Sequence, residues 1–360
     1  MTRVLLFGSG YIAGHVGTRL TRLGHGVVLG SRRRPRTPET RGLRWLPVDV
    51  ADPREVRTVV DAVRPDAVVA AHGPSDITRC EADPAGTAAV HVAGARNVVA
   101  ALAGRAARMV LISTDNVFPG HADSCAESAP TSPANAYGRA KLAAEAAYLV
   151  GGDALVLRVS LVYGWDRTGL RPNFFTMCAE RLGAGAPVAV PDEHWNTPVL
   201  IDDVAAWTAA LLDSPHTGVV HLGGPRRLSR VRWARHIAAV HGVDPALVTA
   251  VPQRDTGYAC RPRNACLHSE RAAHLPELRG LDPVDVFAAD AALIAAVVGP
   301  TGSTGPSGST ASTASTASTA STASTADPST LAPRAALDTS AALDASAVFD
   351  ASAVFGRDQP

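Results

Sequence analysis

Lysine is almost missing from this chain of 360 residues: of its 34 basic side chains 33 are arginine, and Lys141 stands alone. Such a bias reads as the imprint of a GC-rich genome, and it makes the position of the one lysine informative. Cysteine is sparse as well. The five present (Cys80, Cys125, Cys178, Cys260, Cys266) are scattered, and none form a C-x-x-C pair. That suggests neither a zinc site nor a disulfide framework and makes a reducing cytoplasm the expected setting. No charge of either sign is in excess. The net charge is +1, so the total gives no reason to expect nucleic acid or an anionic membrane as partner. The apolar runs are too short to span a bilayer. Met1-Thr2-Arg3 leads straight into Val4-Leu5-Leu6-Phe7 and a glycine turn. A signal peptide's apolar stretch and cleavage site are not expected there. Hydrophobic residues still make up 46%, enough for a sizeable core in one large or two small domains.

The chain alternates up to about residue 160. Apolar, β-branched runs at 4–7, 26–29, 43–48, 66–71, 108–112 and 154–159 predict short strands. Stretches with helical spacing at 12–23, 53–63, 84–103 and 133–150 predict the helices between them. Buried strands alternating with helices mean an α/β fold: a doubly wound parallel sheet of the Rossmann kind. Pro53, Pro84 and Pro133 stand near helix starts, where a missing N–H is harmless. Residues 1–163 are thus expected to form the dinucleotide-binding domain. Residues 164–298 are less regular, with helical spacing at 173–182, 203–212 and 229–240, and predict a smaller α/β substrate region. At 299–360 the composition changes: six Ser-Thr-Ala copies fill 309–326, followed by a near-repeat of six residues. The Ser-Thr-Ala tract offers too little apolar surface to order itself, so a disordered tail is expected.

Gly8-Ser9-Gly10-Tyr11-Ile12-Ala13 follows the first strand and opens the first helix, matching G-x-G-x-x-G/A. Gly8 allows the tight turn, Gly10 lets backbone approach a pyrophosphate, and Ala13 allows close helix–strand contact. A glycine-rich turn can be purely structural; its place at the start of a βαβ pattern favours a cofactor site. The second strand ends in Ser31-Arg32-Arg33-Arg34, without the carboxylate that holds the ribose of NAD. Serine and arginine suit the 2′-phosphate of NADP(H), because guanidinium binds phosphate by paired charge-assisted bonds. The bland alternative is a solvated basic turn in an arginine-rich protein. Asp49 and Val50 are expected near the adenine, and Ala71, His72 and Gly73 along the cofactor's far side.

Tyr137 and Lys141 lie four apart in a predicted helix, on one face. A nearby ammonium and an oxidised nicotinamide are both expected to lower the tyrosine's pKa and let it exchange a proton with a carbonyl or alcohol. Lysine also suits a bond to the nicotinamide ribose, where arginine's planar fork is not equivalent. With 5 tyrosines in 360 positions, one lysine lands four after a tyrosine roughly once in 70 placements, which argues against coincidence. Upstream, Ser113 and Thr114 end the fifth strand, where strand ends face the ligand crevice. Thr114 is the expected donor to the reacting oxygen. Ser113 is the alternative, though neighbours on a strand point to opposite faces.

These residues, with Ser113–Phe118, Arg158–Gly164 and Asn196–Pro198 before Asp202-Asp203-Val204-Ala205, resemble the extended short-chain dehydrogenase/reductase family. The branch they resemble is that of dTDP-4-dehydrorhamnose reductase and related sugar-nucleotide-binding proteins. The resemblance spans about residues 3–290. It implies Thr114, Tyr137 and Lys141 as the catalytic set of an NADPH-dependent ketoreductase. Thr114, Asp115, Asn173, Thr197 and Arg261 would lie near a nucleotide-activated deoxysugar, in a cytoplasmic enzyme for which a homodimer is compatible. Three departures mark this chain. Phe7 or Ala13 stands where the glycine pattern has glycine, Asn116 where the branch has tyrosine, and Leu161 where it often has tryptophan. The last two positions should face the substrate. Two alternatives remain at this point: an NDP-sugar epimerase or dehydratase with bound NAD, and a non-catalytic binding protein. His72 and Trp195 are expected to reshape the pocket, and neither is assigned a catalytic role.

Overall fold

The computed structural model describes residues 1–35, 37–168 and 172–298. The tail expected at 299–360 lies outside the described residues. Strands β1 (Arg3–Phe7), β2 (Gly26–Ser31), β3 (Arg44–Pro47), β4 (Ala67–Ala70), β5 (Arg108–Thr114), β6 (Ala154–Val159) and β7 (Gly218–Leu222) form one parallel sheet in the order 3-2-1-4-5-6-7. The order reverses between β1 and β4, the switch point at which a doubly wound sheet opens its ligand crevice.

The period of two along each strand decides which helix it meets. Val4, Leu6, Leu29, Val69, Val110 and Leu157 face one way. They pack on Val16 and Leu20 of α1 (Tyr11–Arg22) and Val204, Trp207 and Leu211 of α8 (Ile201–Leu212). Leu5, Phe7, Val28, Val68, Leu111 and Val156 face the other way. They meet α2 (Pro53–Val63), α5 (Gly94–Leu102) and α6 (Ala136–Val150) through Val56, Val60, Val98, Ala144 and Tyr148. Leu6 is fully buried, and truncation there to alanine is expected to cost about 2–5 kcal/mol. A third core joins Tyr163, Val188, Val190 and Trp233 to Phe175 and Leu182 of α7 (Phe174–Gly183) and Ile237 of α9 (Arg230–Val240). Val286 and Ile294 of α10 (Val286–Val298) close it.

Residues Met1–Val297 pack as one compact unit. The division drawn at residue 163 is crossed by the sheet itself, since β7 and α8 return from the later segment to cover β6 and α1. Helix starts follow local chemistry. Asp52 accepts the N–H groups of Arg54 and Glu55 and Pro53 begins α2. Pro84 likewise begins the short α4 (Pro84–Ala88). Pro133 lies outside α6, whose cap is Asn135. The helix expected over 84–103 is interrupted: α4 passes into a π-helical turn at Ala89–Ala93 before α5. A preceding short helix, α3 (Ile77–Ala82), escaped the periodicity because a six-residue piece shows too little of it. Among the described residues no helix is long and apolar enough to cross a membrane.

Candidate active site

At the end of β1 the chain turns through Gly8 and Gly10 into α1. Gly8 has φ +132°, and a Cβ there would stand 2.6 Å from the carbonyl oxygen of Ala71. The turn and β4 can therefore touch only with glycine at this place. A Cβ on Gly10 would meet nothing within 4 Å, so the space before α1 is open. No side chain caps that helix and no acidic residue lies in its first turn, which leaves its N–H groups and dipole available to an anion. Ala13 is buried against the sheet and Ile12 packs beside it. The Tyr11 hydroxyl is buried without a partner, close to Gly164.

Ser31 Oγ donates to the carbonyl of Arg33 at 2.8 Å and accepts from Trp45 Nε1 at 3.0 Å, which shapes the turn after β2. Arg32, Arg33 and Arg34 are exposed, and none has a carboxylate partner among the described residues. Arg34, Thr37, Arg41 and Trp45 line a cavity of about 280 Å³ beside this turn. Asp49 turns its carboxylate to the N–H of Ala51, and the buried Val50 accepts from Asn97 Nδ2 through its carbonyl. His72 meets Phe7 edge to face and stacks on His91, at 6.4 Å from each, and burial pushes its pKa down to about 3. The turn chemistry, the bare helix start and the unpaired arginines suit a dinucleotide that carries an extra phosphate.

Thr114 ends β5, and Asn135, accepting from the N–H of Gly138 at 2.8 Å, starts α6 opposite it. Two residues later stands Tyr137, half-buried, and one turn on stands Lys141, buried. Lys141 Nζ donates to the carbonyl of Ile112 at 2.6 Å, so the ammonium is held against β5. Burial lowers its pKa to about 8, with the Glu145 carboxylate opposing. Tyr137 is shifted upward. Burial first, then the Asp115 carboxylate and Cys80, raise its pKa, while a bond with Thr114 works the other way. Removing a phenolate from water outweighs its neighbours here, so Tyr137 stays a protonated donor at neutral pH.

Thr114 Oγ1 donates to Asp115 Oδ1 at 3.1 Å and accepts from the backbone and side chain of Asn116. Asp115 is buried and also accepts from Asn116 Nδ2 at 2.8 Å and Ser160 Oγ at 3.1 Å. Burial raises its pKa to about 6 against those bonds. Ser113 points the other way, into a buried network in which Arg158 and Glu145 pair at 2.7 Å. The strand alternation thus separates the two hydroxyls.

Of the residues expected near a substrate, Thr114 and Asp115 share one cluster. Asn173 caps α7 and donates to the Gly164 carbonyl at 2.8 Å. Thr197 is buried and accepts from the Leu267 N–H at 3.1 Å. Arg261 donates to the Gly257 carbonyl, lies over the Tyr258 ring, and lines a cavity of about 530 Å³ with Trp195, Arg227 and Asn264. Asn116 is buried in the Thr114–Asp115–Asn135 network, and Leu161 packs on the third core.

Residues that the sequence reading passed over also converge here. His91, on the π-helical turn, meets Tyr137 edge to face. Arg230, His194 and Tyr258 form a second cluster beside Arg261. A π-helical turn has no residue pattern of its own, and Arg230 was one arginine among 33.

A parallel sheet of this order, a glycine turn at its switch point and a tyrosine and lysine one helical turn apart define the extended short-chain dehydrogenase/reductase class. The family model of the RmlD substrate binding domain matches residues 2–279, and the chain belongs to that family. It is 34% identical over 238 residues to a dTDP-4-keto-6-deoxy-D-glucose reductase of Streptomyces niveus, covering 64% of this chain and 81% of the relative. It is 30% identical over 265 residues to the dTDP-4-dehydrorhamnose reductase of Mycobacterium tuberculosis, covering 71% and 83%. Among solved structures, a dTDP-4-dehydrorhamnose reductase from Bacillus anthracis in complex with NADP superimposes with a TM-score of 0.67 at 20% identity, covering 81% of this chain and 98% of that one.

Proposed function

We propose that this protein is an NADPH-dependent ketoreductase that reduces the 4-keto group of a nucleotide-activated deoxysugar. The observation that carries the reading is the placement of Tyr137 and Lys141 opposite Thr114 at the crevice end of β5. NADPH, when bound, supplies the hydride. The cofactor would be held by Gly8, Gly10, Tyr11 and Ile12 at the phosphates, Ser31, Arg32 and Arg33 at the 2′-phosphate, Asp49 and Val50 at the adenine, and Ala71, His72 and Gly73 along the far side. Residues 1–163 would hold this cofactor and 164–298 the sugar nucleotide.

Tyr137, protonated at neutral pH, gives its proton to the substrate oxygen. The Thr114 hydroxyl turns its proton from Asp115 to that same oxygen. The charge of Lys141 stabilises the phenolate left behind, at a place where low dielectric strengthens the attraction. Asp115, tied to Thr114, Asn116 and Ser160, holds the Thr114 hydroxyl at this place until the substrate oxygen takes over its proton. Asn173, Thr197 and Arg261 remain the proposed substrate contacts. The unpaired arginines after β2 favour this reading over an epimerase that retains NAD. All five cysteines are free, in keeping with a cytoplasmic enzyme. A homodimer belongs to the same reading and is checked by the mass in solution. The test is NADPH oxidation with a dTDP-4-keto-6-deoxyhexose beside the same sugar without its nucleotide. Turnover of the nucleotide form alone supports the reading, and turnover of simple ketones alone overturns it.

A further inference from the structure

Arg230 opens α9 and is only 3% exposed, and its Nε and Nη1 are buried without a hydrogen-bond partner. No carboxylate forms an ion pair with it among the described residues. It rests on aromatic faces instead, 4.4 Å from the Phe174 ring centre and 5.3 Å from that of Tyr258. Arg261 covers the same Tyr258 ring at 4.3 Å, so two guanidinium groups converge on one tyrosine. The charge of Arg261 weighs on Arg230, and Asp115, beside Thr114, is near enough for its carboxylate to act on it in the opposite sense. His194, whose carbonyl accepts the Arg230 N–H at 3.0 Å, meets Tyr258 edge to face at 5.2 Å. Its ring is buried with Nδ1 unpartnered. Burial and both arginines hold it neutral.

A buried cation without a counter-charge is costly, and aromatic faces return only part of the loss. Packing alone gives no reason for it, because an apolar side chain of the same length would cover Phe174 without the cost. An arrangement of this kind is stabilised when an anion arrives. The position narrows the anion: it lies in the same neighbourhood as Asp115 of the catalytic cluster, next to the loop that carries Arg261. Gln253 holds that loop by donating to the carbonyls of Tyr258 and Arg261.

We propose that Arg230, with His194 and Tyr258, joins Arg261 in a buried subsite for the diphosphate of the nucleotide-activated substrate. This rests on the reductase reading given above. Arg230 supplies a planar fork for phosphate oxygens. Tyr258 holds the two guanidinium groups in place by its face.

The experiment uses the full chain, dTDP as the probe, and calorimetry beside thermal melting. Arg230→Met keeps length and removes charge. Its dTDP affinity should fall by on the order of 30-fold or more, while NADPH affinity stays at the parent's. Its melting temperature without dTDP should equal or exceed the parent's, because the unpaired cation is gone, and the rise that dTDP gives the parent should disappear. A purely structural arginine would instead lower the melting temperature and leave dTDP affinity alone. Parent-like dTDP affinity in Arg230→Met overturns the subsite and leaves the reductase reading standing. A parent protein that does not bind dTDP, yet oxidises NADPH with nucleotide-free ketones, overturns both. Should Arg230→Met fail to fold, Arg230→Lys carries the test. It keeps the charge and loses the fork, and dTDP affinity equal to the parent's overturns the proposal.

Discussion

The imidazole of His91 meets the phenol of Tyr137 edge to face, with ring centres 5.5 Å apart and planes 75° from parallel. His91 Nε2 lies 3.0 Å from the carbonyl of Pro74, so that nitrogen carries the proton and donates. Gly73 has φ +98°, and any Cβ on it would run into the His91 ring. The turn after β4, the π-helical turn and α6 therefore lock together around Tyr137. Burial, and then the Lys141 charge, push the His91 pKa down to about 4, so the ring is neutral wherever the enzyme works. His91→Phe keeps the ring contact and loses the bond to Pro74. Turnover is expected to fall by on the order of tenfold through misplacement of Tyr137, with NADPH affinity unchanged. Steady-state kinetics check it, and turnover equal to the parent's refutes it.

Tyr137→Phe removes the proton donor and little else. The turnover number should fall by on the order of 10²–10⁴, with NADPH binding intact by fluorescence titration. Near-normal turnover would show that the proton comes from another group.

Lys141 gives the reaction its pH dependence. Its pKa is pushed down to about 8, mainly by burial. The ammonium that stabilises the phenolate is present below that pH and lost above it. The profile of kcat/KM is therefore expected to fall as pH rises through about 8. A profile flat to pH 10 would mean that Lys141 stays charged or is not needed.

Most of this site was legible in the sequence because its parts are local. The glycine turn, the Tyr137–Lys141 spacing and the hydroxyls ending β5 each occupy a few consecutive positions, and strand alternation alone separates Thr114 from Ser113. What escaped depends on non-local packing. Asp115 is held by Ser160, 45 residues away, and Arg230 meets Tyr258 only after α9 and the later loop have packed. The return of Gly218–Leu222 to the sheet beside β6 was hidden for the same reason: a short apolar run does not say which sheet it joins. Burial raises the Tyr137 pKa, and burial cannot be read from a helical spacing of four.

On the proposed reading, cofactor choice should rest on Arg32 and Arg33. Both are exposed, next to the turn that Ser31 and Trp45 shape. The protein should bind NADPH more tightly than NADH, and Arg32→Ala/Arg33→Ala should remove most of the difference by weakening NADPH alone. Loss of two charge-assisted contacts to one phosphate is worth on the order of 3 kcal/mol, roughly a hundredfold in affinity. Fluorescence titration of both cofactors measures it. Equal affinities in the parent, unchanged in the double variant, would refute the assignment.

Asp290 on α10 makes stability depend on pH in a direction unusual for a carboxylate. Its side chain is fully buried. Oδ2 accepts from Trp233 Nε1 at 2.8 Å, and Oδ1 has no partner. His236 lies 3.7 Å away but is disfavoured as a cation by its own burial. Burial raises the Asp290 pKa from 3.8 to about 7, the Asp285 carboxylate adds to the rise, and the Trp233 bond opposes it. The folded state thus holds a proton that the unfolded chain releases. Its contribution is fully present below about pH 4 and is lost as pH rises to about 7, on the order of 4 kcal/mol across the interval at 1.36 kcal/mol per pH unit. Asp290→Asn keeps an acceptor for Trp233 and carries no charge. It should raise the melting temperature at pH 8 and leave it almost unchanged at pH 4. Urea unfolding at the two pH values measures the difference directly. A variant destabilised equally at both would show that Asp290 is charged and paired in the fold, and that His236 is its cation.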